Sequence, residues 1–241
     1  MLRYIGEIVE RQVARWNAAS IAAKERSVYK EPSLPVVTIA RELGSGGADV
    51  AKLVAQKLNC SLVGYSIVDS IANDLGLPKK ILDFMDERLK SEFMSWYDAS
   101  FCGEMDMHDY HHYMRATIRS LAELGSIVFL GRGAAFVTTK RRKIDVRVVA
   151  PRNERIRRIA ERKHLREHDA VHEIEKSDKA RMKFIRSAYQ RDWSDPSGYN
   201  FVINTGQLSI PQAAAMIEDV WYRIYEEEQN EALYQVETMR S

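Results

Sequence analysis

The chain has 241 residues, of which 45% are hydrophobic and 29% charged, with a formal net charge of +2. This composition is typical of a globular protein of one domain with insertions, and no apolar run approaches the roughly 18–20 residues of a membrane span. The N-terminal segment carries charges throughout and lacks the apolar core of a secretory signal. Cys60 and Cys102 show no metal or redox spacing. We therefore expect a cytoplasmic protein whose thiols are packing residues.

Charge is distributed unevenly along the chain. Residues 140–191 contain 18 Lys and Arg against 8 Asp and Glu, whereas residues 192–241 contain 2 against 9. A basic segment in a nearly neutral chain indicates a polyanionic partner, either nucleotide phosphates or nucleic acid, although a solvated helix face is the alternative. Aromatic residues do not alternate with the basic ones before Phe184 and Tyr189. Nucleic acid is therefore the less favoured partner, because stacking platforms for single strands are missing.

The N-terminal residues 1–33 are predicted to form a helical extension. Five apolar side chains share one helix face there, namely Ile5, Ile8, Val9, Val13 and Trp16. This helix would pack on the domain or on a partner subunit. Pro32 and Pro35 then mark the entry to the core.

The most informative stretch runs from residue 36 to residue 58. The apolar run Val36–Ala40 predicts a buried strand, and helical periodicity resumes near Ala48 or Asp49. Between them lies a loop with three glycines, Gly44, Gly46 and Gly47, and Ser45. In a strand, glycine loop and helix, backbone N–H groups and the helix N-terminus can hold a phosphate.

The same stretch lacks part of the full phosphate-loop signature. That signature ends in Gly-Lys-Ser/Thr, but Gly47 and Ala48 occupy the last two positions. Taken alone, the pattern is compatible both with a phosphate loop and with a tight turn that binds nothing.

Further strands are predicted along the chain, and helices alternate with them. The strands are Ser61–Val63, Ile127–Leu130, Val146–Ala150 and Phe201–Asn204, and the helices cover about 66–75, most of 77–126, a segment from Pro151 and about 211–227. This alternation predicts a parallel sheet with helices on both faces.

Ligands of such sheets bind beyond the carboxyl ends of the strands. The segments that follow the strands are therefore the candidates: 41–47, Gly64-Tyr65, 131–133 and 204–206. This placement brings the glycine loop and Arg132 into one crevice, which favours the phosphate-loop interpretation.

The segment 77–126 is rich in methionine and aromatic residues. It would either clamp a planar ligand or form the core of a small helical insertion. His108, His111 and His112 have no accompanying ligand cluster, so a surface or interface role is favoured over a metal site.

Several segments together resemble the nucleoside monophosphate kinases of the cytidylate kinase superfamily, and in particular its cytidylate kinase-like branch. These segments are TIARELGSGGADVAKLVAQKL, IVFLGRGAAF, VRVVAPRNERIRRIAER, SDKARMKFIRSAYQRDW and FVINTGQLS. The resemblance implies an α/β, three-layer P-loop NTPase fold with a central parallel five-stranded sheet. It also implies a kinase-like domain at 34–228, with a helical acceptor-binding insertion at 77–126 and a helical lid at 160–195. A C-terminal helix end or tail is expected at 229–241, outside the resemblance.

The resemblance also assigns roles to individual residues. Arg132 matches the arginine of a Gly-Arg-Asp motif that holds the acceptor phosphate, with Gly133 at the aspartate position, and Arg119 matches a second acceptor-side arginine. Asp178 and Arg181 match the D-x-x-R of the lid. Lid residues spaced two to five apart would turn several cations toward one face: Lys176, Arg181, Lys183 and Arg186.

The resulting expectation is ATP-dependent phosphoryl transfer to a nucleoside monophosphate, with CMP or dCMP as acceptor. The alternative is a nucleotide-binding regulatory protein of the same fold with little or no catalysis. Catalytic roles are predicted for Arg41, Asp178 and Arg181, binding of the ATP phosphates for Gly44, Ser45, Gly46, Gly47, Ala48 and Asp49, and acceptor binding for Tyr65, Arg119 and Arg132.

Because the loop lacks its lysine and its Ser/Thr hydroxyl, other residues are expected to take over their roles. Arg41 is expected to replace the missing lysine, and Ser45 or Asp49 to assist Mg²⁺. The expected partners are nucleotides, with no membrane, and the terminal helices would either pair in a homodimer or cap the sheet.

Overall fold

A computed structural model describes residues 35–64, 127–138 and 143–240, together with residues 111, 114, 115, 118, 119, 121 and 122; side chains are described as far as residue 226. The predicted helices at 1–33 and 66–75 lie outside these residues, as do Tyr65, Cys102, His108, His112 and most of the 77–126 segment.

Five parallel strands form the sheet, in the order β2-β3-β1-β4-β5. Their bounds are β1 Val36–Arg41, β2 Ser61–Gly64, β3 Ile127–Leu130, β4 Lys143–Val149 and β5 Phe201–Asn204. Strand β1 lies at the centre, and its Thr38 is in register with Phe129 of β3 and Asp145 of β4. The predicted five-stranded parallel sheet is confirmed.

Strand β4 begins three residues earlier than the apolar pattern indicates. Lys143 and Asp145 interrupt that pattern, but their charges are neutralised within the structure. Lys143 Nζ lies 2.7 Å from Asp145 Oδ2, and the Thr38 hydroxyl donates a hydrogen bond of 2.6 Å to Asp145 Oδ1. A charged pair on the sheet therefore hides the start of the strand from the sequence.

The described helices are α1 Gly47–Lys57, α2 Ala134–Val137, α3 Arg152–Lys163, α4 Glu167–Tyr189 and α5 Ile210–Arg240. On one face of the sheet, Val37 and Ile39 pack with Val54 of α1 and Ile217 of α5 in one buried apolar cluster. Helix α5 ends at Arg240, so the helix predicted at about 211–227 and the predicted C-terminal helix end form one continuous helix. Within the described part of the chain, no helix combines the length and apolar character needed to cross a bilayer.

The opposite face of the sheet carries the residues that alternate with this core. Thr38 and Arg147 are buried there. Helices α3 and α4 form a hairpin with its own small apolar cluster, which contains Ile159, Ala170 and Ile174. The three layers of the predicted fold are therefore present, and the polar face of the sheet lies on the side where a site can form.

Candidate functional site

The loop between β1 and α1 is compact and closely surrounded. Gly44 and Gly46 have positive φ angles of 81° and 75°, and a Cβ atom on Gly44 would lie 2.7 Å from the carbonyl oxygen of Arg155. The Ser45 hydroxyl donates a hydrogen bond of 2.9 Å to the Glu42 carbonyl oxygen. Glycine is therefore required by both the backbone conformation and the space. The loop leads directly into the N-terminus of α1, where backbone N–H groups favour an anion.

Residues of α3 and α4 hold this loop from both sides. The Leu43 N–H donates a hydrogen bond of 3.1 Å to Asp178 Oδ1, and the Leu43 carbonyl accepts one of 2.8 Å from Arg155 Nε. Arg155 also pairs with Asp178 directly and with Glu42 at 3.2 Å. The loop geometry thus depends on a guanidinium from α3 and a carboxylate from α4.

A second arginine connects the loop to the segment after α4. Arg147 of β4 lies 3.2 Å from Glu42 Oε1 and donates a hydrogen bond of 2.5 Å to the Trp193 carbonyl oxygen. Its guanidinium carbon is 4.7 Å from the Trp193 ring centroid. Arg147 and Arg155 are therefore neutralised structural cations.

A cavity of about 450 Å³ lies between the sheet and α4. Three arginines line it, Arg41 at the end of β1, Arg132 after β3 and Arg181 on α4. Aromatic side chains contribute much of the remaining wall, namely Phe136, Phe184, Trp193 and Tyr199. Cations beside aromatic rings suit a ligand with a phosphate and a planar base.

The three arginines are held in fixed relative positions. Arg181 Nη1 donates a hydrogen bond of 3.1 Å to the Arg41 carbonyl oxygen and lies 3.6 Å from Asp178 Oδ1. The guanidinium carbon of Arg132 is 4.8 Å from the Phe184 ring centroid.

Arg41 experiences an excess of positive charge. Burial lowers its pKa to about 10, and repulsion from Arg181 and Arg132 acts in the same direction. Burial also lowers the pKa of Arg181, whereas the nearby Asp178 carboxylate acts to raise it. No carboxylate among the described side chains forms an ion pair with Arg41. Buried cations that repel one another indicate a site for an anion.

The aspartate position of the Gly-Arg-Asp motif is filled by another side chain. A Cβ atom on Gly133 would lie 2.1 Å from Cε2 of Tyr189, at the end of α4. The Tyr189 hydroxyl donates a hydrogen bond of 2.5 Å to the Arg132 carbonyl oxygen. Tyr189 therefore takes the place of an acidic side chain beside Arg132.

The structure brings many of the predicted site residues together. Arg41, Arg132 and Arg181 share the cavity, Asp178 contacts the glycine loop, and residues 44–49 form that loop and the first turn of α1. Ala48 is exposed at the helix start. Arg119 is exposed, with its Nε 3.5 Å from the Val137 carbonyl oxygen, and it does not belong to the described lining of the cavity.

The residues expected to assist Mg²⁺ have partners in this structure. The Asp49 carboxylate lies 2.6 Å from Arg162 Nη2, and the Ser45 hydroxyl bonds within the loop. Over the described ranges, no group of three or more His, Cys, Asp or Glu side chains is placed to hold a metal. Mg²⁺ in kinases needs only one or two carboxylates beside the substrate phosphates. Asp49, partly exposed in the first turn of α1, fits that requirement.

Three features of this region differ from the expectations drawn from the sequence or were not predicted from it. Of the four predicted lid cations, only Arg181 lines the cavity, whereas Lys176, Lys183 and Arg186 are exposed outside its described lining. His111 is buried, with its ring edge-on to Phe184 at 5.6 Å. The loop-holding roles of Arg147 and Arg155 have no signal in the sequence that separates them from exposed arginines such as Arg157.

Comparison with known proteins supplies the family. The chain is 28% identical over 187 residues to a cytidylate kinase of Staphylothermus marinus, covering 76% of this chain and 94% of that protein. It is 27% identical over 179 residues to a cytidylate kinase of Pyrobaculum islandicum, covering 74% and 88%.

An uncharacterised protein from Eubacterium ventriosum of known crystal structure has the same fold, with a TM-score of 0.61 at 23% identity over 78% of this chain and 98% of that one. A sequence model of the cytidylate kinase-like family matches residues 36–207. The chain belongs to the cytidylate kinase-like family.

Proposed function

We propose that this protein is an ATP-dependent kinase that phosphorylates a nucleoside monophosphate, with CMP or dCMP as acceptor. The observation that carries the proposal is the meeting of Arg41, Arg132 and Arg181 in one cavity beside the glycine loop. Phosphoryl transfer requires cations around the transferring oxygens and in-line positioning of the two substrates, with little covalent chemistry by the protein. Membership of the family and the cytidylate kinase relatives support the choice of acceptor.

The reaction joins an oxygen of the acceptor phosphate to the γ-phosphorus of ATP. The bond between that phosphorus and the oxygen bridging it to the β-phosphorus breaks, and ADP leaves with the electron pair. Any proton on the attacking phosphate is lost to solvent. Arg132 would bind the acceptor phosphate in bidentate fashion, and Arg41 and Arg181 would stabilise the charge that spreads over the transferring oxygens.

The chain also provides positioning and exclusion of water. The glycine loop and the α1 N-terminus would hold the donor phosphates, while α4 covers the cavity and limits hydrolysis. Bound Mg²⁺ would supply a Lewis acid to the phosphate oxygens, and Asp49 is the residue in place to hold it, because the Ser45 hydroxyl is buried and bonded within the loop.

The aromatic wall suggests how an acceptor base would be bound. Phe136, Phe184 and Trp193 line the same cavity as Arg132 and Arg181, and planar rings of this kind stack on nucleobases. Gly133 and Tyr189 replace an acidic contact beside Arg132. Recognition of the acceptor would therefore depend on stacking more than on a carboxylate.

The test is an assay of the full chain with ATP, Mg²⁺ and a panel of nucleoside monophosphates, in which the formation of ADP is measured. We expect turnover with CMP or dCMP, and a loss of at least about 100-fold for Arg132→Ala because a bidentate phosphate contact disappears. Arg223→Ala, which removes an exposed arginine of α5 paired with Asp219, is the matched control and should be unaffected. Absence of turnover with every monophosphate would contradict the proposal.

A regulatory nucleotide-binding protein of the same fold is the second candidate. The observation in its favour is the replacement of three side chains that the typical kinases use, by Gly47, Ala48 and Gly133. It predicts ATP binding without ADP formation in the same assay, whereas the kinase predicts both.

A further inference from the structure

The glycine loop departs from the phosphate-loop signature at three positions, Arg41, Gly47 and Ala48, and the first two departures are complementary. When Gly-x-x-x-x-Gly-Lys-Ser/Thr is laid on residues 41–48, Arg41 occupies the first glycine position and Gly47 the lysine position. Gly46 retains the second glycine. Positions one and seven have therefore exchanged their residue types, with arginine in place of lysine.

The structure gives a spatial reason for glycine at position 47. Gly47 is the first residue of α1 and has helical geometry, so its backbone would accept any side chain. A Cβ atom there would, however, lie 2.4 Å from Arg41 Cβ and 3.1 Å from Arg41 Cγ. The beginning of the Arg41 side chain thus fills the space that a lysine at position 47 would need.

The far end of Arg41 lies against a second glycine. A Cβ atom on Gly131, directly after β3, would lie 2.0 Å from Arg41 Nη1. The side chain therefore crosses from the start of α1 to the carboxyl end of the neighbouring strand. Its guanidinium lies between the glycine loop and the loop that carries Arg132, where donor and acceptor phosphates would meet.

The electrostatic environment of Arg41 supports a role in binding an anionic ligand. The pKa of Arg41 is lowered by burial and by two other arginines, which means that the protein keeps this charge at a cost in stability. An arginine that served only as packing would be replaced by a neutral side chain without loss. A bound polyphosphate would remove that cost by pairing with it.

We propose that Arg41 is the phosphate-loop cation of this protein, acting from position one of the loop in place of the lysine at position seven. The inference rests on the proposed function in that ATP is taken as the ligand. Arg41 binds the β- and γ-phosphates through its guanidinium fork, and Gly47 and Gly131 are glycines because Arg41 occupies their side-chain space.

The experiment measures two properties of the full chain: ATP affinity by calorimetry and melting temperature by thermal unfolding. It compares four test variants and one control variant. Arg41→Met keeps the aliphatic volume beside Gly47 and removes the charge. Arg41→Gly and Gly47→Lys each change one position, and Arg41→Gly/Gly47→Lys returns both positions to the usual signature. Arg223→Met, on the exposed face of α5, controls for the loss of one positive charge.

We expect Arg41→Met to weaken ATP binding about 10- to 100-fold, as for loss of a charge-assisted contact, with no fall in melting temperature. Gly47→Lys alone should be destabilised because the lysine has no space. The double variant should bind ATP at least about tenfold more tightly than Arg41→Gly, which is the coupling that a double-mutant cycle detects.

Two results would overturn the inference: unchanged ATP affinity in Arg41→Met, or a double variant that binds ATP no better than Arg41→Gly. If the double variant fails to fold, the ATP affinity of Arg41→Met alone decides whether the inference holds. Turnover of the unmodified chain is measured separately. ATP binding without turnover rejects the kinase but not the role of Arg41, turnover with an unaffected Arg41→Met rejects only the role of Arg41, and absence of ATP binding rejects both.

Discussion

At the scale of single residues, the site depends on glycines whose missing side chains are replaced by neighbours. Arg41 fills the space beside Gly47 and Gly131, and Tyr189 fills the space beside Gly133. In each case the neighbouring side chain occupies the space that a side chain at the glycine position would need. Substitution of these glycines therefore tests packing and function together.

Gly133→Ala should destabilise the fold. Its φ of 67° is strained for alanine, and the new Cβ would meet the Tyr189 ring, so we expect a loss of about 1–3 kcal/mol. The measurement is urea unfolding. Gly64→Ala is the matched control because a Cβ there meets nothing within 4 Å. Equal stabilities of the two variants would contradict the packing argument.

Tyr199 predicts a pH dependence of stability. Burial raises the pKa of the Tyr199 hydroxyl from its ordinary value of 10.0 to about 12. Between these two pH values the folded state keeps a proton that the unfolded state loses. The stabilisation is complete below pH 10 and declines as pH rises toward 12. In urea unfolding, the stability difference between the unmodified chain and Tyr199→Phe should narrow from pH 9 to pH 11. A constant difference would show that Tyr199 titrates normally.

At the scale of elements, α3 and α4 act as one hairpin that is attached to the glycine loop by a few charged contacts. Two equivalent pairs cross the hairpin, Arg152 with Glu175 and Arg155 with Asp178. The first is exposed, whereas the second is partly buried and also contacts the Leu43 N–H. The two ion pairs are therefore expected to contribute differently to the stability of the domain, with the larger contribution from Arg155 and Asp178.

Asp178→Asn should loosen the hairpin from the loop. It keeps an acceptor but removes the carboxylate beside Arg181 and leaves Arg155 paired with Glu42 alone. We expect a loss of about 1–3 kcal/mol together with faster amide hydrogen exchange in residues 42–46. Glu175→Gln, which breaks the exposed pair, should cost less than about 1 kcal/mol. Exchange rates that respond equally to both variants would refute this difference.

At the scale of the whole molecule, the two ends of the described domain are joined. Trp221 on α5 is buried, and its indole N–H donates a hydrogen bond of 3.0 Å to the Pro35 carbonyl oxygen, just before β1. Lys57 at the end of α1 pairs with Glu218 of α5 at 2.5 Å. Helix α5 thus fixes the strand that carries Arg41.

Trp221→Phe should lower the stability of the entire domain. The Pro35 carbonyl loses its donor while buried, which costs about 1–3 kcal/mol. Tyr222→Phe, at the adjacent exposed position, is the control and should change stability little. The check is the urea midpoint of each variant, and a midpoint for Trp221→Phe equal to that of the control would remove α5 from this role.

The strands and the glycine loop could be predicted from the sequence because both depend on local patterns. Apolar β-branched runs indicated all five strands, and the interval between them indicated parallel order. The start of β4 could not be predicted in this way, since Lys143 and Asp145 are compensated only by contacts with each other and with Thr38. The order β2-β3-β1-β4-β5 likewise depends on which strands pair.

What the sequence by itself determined is the fold class, the family resemblance and the segments that border the crevice, because these follow from residue periodicity and motif order. What only the tertiary structure decided is which cations line the crevice. Arg41, Arg132 and Arg181 converge there, whereas Arg147 and Arg155 pair with Glu42 and Asp178 outside its described lining. Arginines of identical chemistry separate into these two groups because burial and the nearest carboxylate are properties of position in space, which the order of residues does not contain.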